Sequence, residues 1–348
     1  MGTDRHRRLS MKRMLMGGWL ALLPALGMAA DTGYHLTARQ VLPGNVQWDY
    51  VSYEAQSHRL FLTRGDHVDV VDTQTGKVVG SIPGTHGVHG VALAPELDRA
   101  FVTAGKDDAV TIVELSTLKV LGTVPTEQKP DAIVYDPASK RAFAANGGSG
   151  SLTAIDAVSG KVVGTVAIGG KLEFAAVDGK GGLFVNVEDK GQLAAVDTQS
   201  LQLKARYDLS SVCEEPGGLA IDRADGRLFS TCSNQKMLVI DGASGKILDV
   251  VGIGKGSDAA VYDADRKLAF SSNGEGNLSV VGQGSNGHYS LQQSLPTARG
   301  ARTMALNPQT HEIYLVTADI DTAAAPDPQH PGRPHYKPDS ITVITVAP

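Results

Sequence analysis

Arg99-Ala-Phe-Val-Thr-Ala-Gly-Lys-Asp-Asp-Ala-Val-Thr-Ile-Val-Glu-Leu-Ser-Thr-Leu-Lys-Val-Leu-Gly122 is the stretch that decides the fold. Two short runs rich in β-branched residues flank a polar turn, and a second turn leads to a third run. The pattern returns along the chain. Its aromatic position is Phe61, Phe101, Phe143, Phe184, Phe229, Phe270 and Tyr314, at steps of 40, 42, 41, 45, 41 and 44 residues. Six of the seven phenylalanines fall there, so this position sets the architecture. A period near forty built only of strands and turns is the mark of a β-propeller, because a four-stranded blade alone cannot bury both faces. Seven anchors predict seven blades in one domain, residues 31–348.

Each unit reads alike. A short apolar inner strand, such as Val91-Ala92-Leu93-Ala94, is followed by a turn carrying Asp-Pro, Asp-Gly or Asn-Pro. The anchor strand comes next, and the third strand ends in an acid: Asp72, Glu114, Asp156, Asp197 or Asp241. These acids recur where a hairpin needs a backbone acceptor, which gives them a structural role. The run from Tyr34 to Leu42 resembles an outer strand, and the last unit, ending at Val346, lacks one. The N-terminal run is therefore expected to complete the last blade, removing an exposed seam.

Arg7, Arg8, Lys12 and Arg13 precede a short apolar run, Met14 to Leu26, and then the small residues Gly27, Ala29 and Ala30. That order is a signal peptide over residues 1–30, cleaved near Ala29 or Ala30, and it predicts a periplasmic protein with no membrane span in the mature chain. The Sec and twin-arginine routes both remain open. Cys213 and Cys232, the only cysteines, are expected to pair in that compartment. A net charge of −5 gives no general footprint for nucleic acid. Lys129, Lys171, Lys255, Arg299 and Arg302 offer a locally basic rim, but no interleaved aromatics support base stacking.

Val70-Val-Asp-Thr-Gln-Thr-Gly-Lys-Val-Val-Gly80, with close copies at 154–164 and 239–247, resembles the YVTN-type repeat of exported YncE-like propellers. The resemblance covers nearly all of the mature chain. It implies a seven-bladed ring and leaves function open, since such propellers include members without a known reaction, a DNA-binding member and large subunits of amine dehydrogenases.

Function is sought where the units disagree. The position before each inner strand reads Trp48, His89, Asp131, Glu173, Gly217, Asp258 and Arg302, and the resemblance places this column at the mouth of the central channel. Three residues earlier lie His86 and Arg299, among others. Convergent polar groups in a concave place make the default binding site. The ligand-binding candidates are thus Trp48, His86, His89, Asp131, Glu173, Asp258, Arg299 and Arg302. Arg64, Asn146 and Asn273, in loops between second and third strands, are expected to edge the same face. His86, His89 and Asp131 are the candidate ligands for one divalent metal ion, imidazole plus carboxylate being a suitable set; the alternative is a hydrogen-bonded channel histidine beside a solvated one. No nucleophile elbow or phosphate loop occurs, so no reaction is assigned. The expected function is a non-catalytic module for a small ligand or periplasmic protein partner. Its alternatives are a metal-dependent, lactonase-like hydrolase or lyase and a subunit of a quinoprotein redox system. One insertion breaks the period, residues 319–339, rich in proline and carrying His330, His335 and Tyr336. A lid over the channel and a simple edge cover are both open readings.

Overall fold

A computed structural model describes residues 1–2, 33–324 and 334–348. The expected signal peptide and the proline-rich centre of the insertion fall outside the described residues. Seven four-stranded antiparallel sheets make a seven-bladed propeller, each with its strands hydrogen-bonded in sequence order from the hub outward. The first blade is Val51–Glu54, Arg59–Thr63, Gly65–Asp72 and Lys77–Val88. Blade seven is the exception in connectivity. Thr303–Leu306, Ile313–Thr317 and Ile341–Ala347 are completed on the outside by His35–Leu42. That strand pairs antiparallel with Ile341–Ala347 from His35 opposite Ala347 to Leu42 opposite Ile341. The expected closure by the N-terminal strand is therefore what the chain does.

Every anchor sits on a second strand, and all seven are buried. Their partners explain the period. Phe61 packs among Val91, Ala100 and Val102 of blade two, and Phe270 among Met304, Leu315 and Ile344 of blade seven. Tyr314 packs against Leu60 and Leu62 of blade one. Each blade thus inserts one large ring into the next, and the last inserts into the first. Burying a ring of this size contributes about 1.5–3 kcal/mol, so the repeat is kept by packing.

The recurring acids do turn work. Asp72 Oδ1 accepts from the Thr75 backbone N–H at 2.7 Å and from its hydroxyl at 2.9 Å. Asp156 with Ser159 and Asp241 with Ser244 repeat the arrangement. These hydrogen bonds hold all three carboxyls below the usual range. Cys213, in the loop leading into blade five, is disulfide-bonded to Cys232 at the end of that blade's second strand. Among the described residues no helix is long and apolar enough to cross a membrane.

Candidate functional site

The register of the sheets fixes which residues form the hub column. Ser52, Ala92, Val134, Ala176, Ala220, Val261 and Ala305 lie opposite the seven anchors. Three residues before each come Asp49, His89, Asp131, Glu173, Gly217, Asp258 and Arg302. Six of the seven sequence assignments stand in this column, and blade one is off by one. Asp49 holds the position, and the neighbouring Trp48 points into the wall. Hydroxyls on the second strands help set the column: Thr63 Oγ1 lies 3.0 Å from the Asp49 N–H, and Thr103 Oγ1 accepts from the His89 and Gly90 N–H groups at 3.3 and 2.9 Å.

Ion pairs knit the column. His89 Nδ1 lies 2.6 Å from Asp49 Oδ2 and 3.6 Å from Asp131 Oδ1. Arg302 Nε meets Asp258 Oδ2 at 3.1 Å. Lys171, on the loop before Glu173, reaches Glu173 at 2.8 Å and also contacts Glu188. The Tyr50 hydroxyl, buried behind the column, points at Glu173 Oε2 at 3.4 Å.

The crowding shows in the proton affinities. Burial works against a charged His89, but the hydrogen bond to Asp49 and the charges of Asp131, Asp49 and Glu173 outweigh it and hold the imidazole up to about 9. Burial lifts the Asp131 carboxyl to about 6, and the charges of Asp49 and Asp258 add to it against the pull of His89. Glu173 and Asp258 are both pushed up, first by burial and then by neighbouring acids, with Lys171 and Arg302 opposing. Carboxylates are packed here more densely than their own counter-ions neutralise.

Two cavities open on this face and meet at Asp49, His89 and Arg302. The larger, about 570 Å³, lies on the side of blades seven, one and two. Its wall includes Trp48, Val46, Val88, Lys106, Pro334 and Tyr336. Trp48 and Tyr336 meet edge to face with ring centroids 4.8 Å apart. The smaller, about 280 Å³, lies on the side of blades three to six and is lined by Asp131, Glu173, Glu188, Glu215, Gly217 and Asp258, among others. The described ends of the insertion form a short stem. Ile320 bridges Tyr336, and the N–H groups of Asp321 and Lys337 donate to the carbonyls of His335 and Asp319, each at 2.8 Å. Pro334, His335 and Tyr336 thereby become cavity wall.

Several candidates lie elsewhere. His86 is exposed and pairs with Asp107 at 2.9 Å. It is not grouped with His89 and Asp131; among the described residues the group with converging ligand atoms is Asp49, His89 and Asp131, all within 4.8 Å of one another. Those residues suit a divalent ion by type, and an ion there would have to displace the proton that His89 shares with Asp49. Arg299 is exposed and lines neither cavity; its carbonyl accepts from the Thr317 hydroxyl at 2.6 Å. Arg64 is a buried strut and does not edge the face. It pairs with Asp69 at 2.6 Å and donates to the carbonyls of Pro43, at 3.0 Å, and Asn45. Asn146 and Asn273 are likewise buried in hydrogen bonds within their own blades.

Sequence reasoning missed Asp49, Tyr50, Glu188 and Glu215, and placed Lys171 only on a basic rim. Asp49 had a signal: it lies twelve residues before its anchor, as do His89, Asp131, Gly217, Asp258 and Arg302 before theirs. Glu188 and Glu215 had none, because only the closed ring brings their loops to the hub.

No family model matches the chain, and no curated protein matches it. Solved propellers do. A structure of U3-55K superposes with a TM-score of 0.72 at 9% identity, covering 88% of this chain and 98% of that one. A chain in the crystal structure of the Mitotic Checkpoint Complex gives 0.69 at 16% identity, covering 89% and 95%. At such identities the likeness is one of fold.

Proposed function

We propose that this chain is an exported, YVTN-type propeller that binds a small ligand or a protein partner at the channel face and carries out no reaction of its own. One observation carries the reading. A column at which the seven blades carry unlike, mostly charged residues converges, through the register of the sheets, on two joined cavities. Packing demands nothing of the sort there. Gly217 shows the freedom, since a Cβ on it would find only the Ser257 carbonyl, at 3.9 Å. Export to the periplasm is supported by the basic-then-apolar N-terminal run and by the disulfide between Cys213 and Cys232.

Thermal-shift screening of chemically diverse small molecules and candidate periplasmic proteins tests the reading, with Gly217→Trp as the comparison. A ligand that stabilises the wild-type protein and not the filled variant is the expected result. If every ligand found acts equally on both, the channel face is not the site. The metal-dependent alternative rests on the Asp49–His89–Asp131 group. Elemental analysis showing a stoichiometric ion, lost in Asp49→Asn/His89→Gln, would favour it.

A further inference from the structure

We propose that the ligand is a zwitterion, an amino acid or short peptide that lies across the hub with its amine over blades three to six and its carboxylate over blades seven to two. The inference rests on the channel-face reading and gives it a ligand class.

The two cavities are opposite in charge. Setting aside the shared Asp49, His89 and Arg302, the smaller holds five carboxyl groups, Asp131, Glu173, Glu188, Glu215 and Asp258, against one cation, Lys171. The larger holds Lys106 and no acid. Ion pairing leaves one of these charged residues without a partner on each side. Lys171 is taken by Glu173 and Glu188, and Arg302 by Asp258. Glu215 and Lys106 are both exposed, and neither has an ion-pair partner among the described residues. A free carboxylate thus faces one half of the hub and a free ammonium the other.

The space between them suits the body of such a ligand. Gly217 leaves the fifth position of the column empty, beside Glu215, Ser233 and Ser257. An ammonium placed there meets carboxylates that burial and mutual repulsion have made short of counter-charge. The other half has the Trp48–Tyr336 pair with Val46, Val88 and Pro334, an apolar and aromatic wall for a side chain. Trp48 Nε1 is buried within that wall and has no hydrogen-bond partner among the described residues. Cavities of this combined size are in the range that encloses small organic ligands. A simple anion would be repelled by the acid half. A bare metal ion would leave the aromatic half unused, and a purely cationic ligand would leave Lys106 unpaired.

The test uses the processed protein, residues 31–348, in which Trp48 is the single tryptophan emitter. Titrations follow its fluorescence with the dipeptide Ala-Phe, its N-acetyl form, its C-terminal amide and zinc chloride. Saturable binding of the free dipeptide is expected, weakened at least tenfold by either block. Glu215→Gln should remove the penalty of the acetyl group, and Lys106→Met that of the amide. Equal binding of free and blocked peptides overturns the inference, as does tighter binding of the amide or a response to zinc alone. No response to any probe overturns it too. Gly217→Trp separates the two levels: if it abolishes binding of a blocked form, the hub is still the site and only the zwitterion is wrong.

Discussion

Asp131→Asn is expected to stabilise the protein, and only where the carboxyl would be charged. The folded hub raises this carboxyl from 3.8 to about 6. At about 1.4 kcal/mol per pH unit, carrying the charge costs the fold roughly 3 kcal/mol once the pH exceeds both values. That figure already includes the attraction of His89 at 3.6 Å. The amide keeps the shape and loses the charge, and imperfect hydrogen bonding reduces the gain to about 2 kcal/mol. The direction follows from proton linkage. The folded state holds this proton more tightly than the unfolded chain, so the cost is absent below about pH 4, grows to about pH 6 and is constant above. At about 2.1 cal/mol/K per residue, the gain appears as about 3 °C in Tm for a chain of this length. Differential scanning calorimetry of both proteins at pH 3.5, 6 and 8 reads it directly. A variant no more stable than wild type at pH 8 refutes the reasoning. So does an equal gain at pH 3.5, which would point to packing.

Three further outcomes follow from the structure. Gly218→Ala should destabilise severely, because its Cβ would meet the backbone of Ala259 and Ala260 at 2.6–2.8 Å, whereas Gly217→Ala one residue earlier should be nearly silent; urea melts of the pair compare them. Arg64→Ala should cost about 3 kcal/mol, since it leaves Asp69 partly buried with only His67 beside it, at 3.5 Å, with a matching fall in the urea midpoint. Replacing Cys213 and Cys232 together by Ala opens a loop of sequence separation 19 and should cost about 3 kcal/mol, visible as a lower midpoint that reducing agent does not lower further.

The blades were legible because one ring per unit must insert into its neighbour, and that demand writes a period into the sequence. Closure was legible for the complementary reason: Tyr34 to Leu42 is a strand lacking neighbours, and the last blade lacks an outer strand. The hub was legible only in part. Six column positions follow from the repeat. The sequence points to Trp48 in place of Asp49 because blade one opens on an irregular segment, and only the pairing of Ser52 with Phe61 fixes where the inner strand starts. His86 looked like a ligand because two histidines lie three apart among glycines, but Asp107 claims it. Arg64 looked exposed because it sits in a loop, yet it fastens Pro43 and Asn45 where the chain passes from blade seven to blade one. Charge balance across the hub depends on loops from different blades, and no local pattern records it.

The pairing of His35–Leu42 with Ile341–Ala347 also orders events in time. His35–Leu42 precedes every other strand of the ring, and it waits without its ladder until Ile341–Ala347 is there to pair with it. Any chain stopped earlier is an open arc with two bare sheet edges, the form most prone to join another chain. Arrival of Ile341–Ala347 and locking of the ring are therefore a single event.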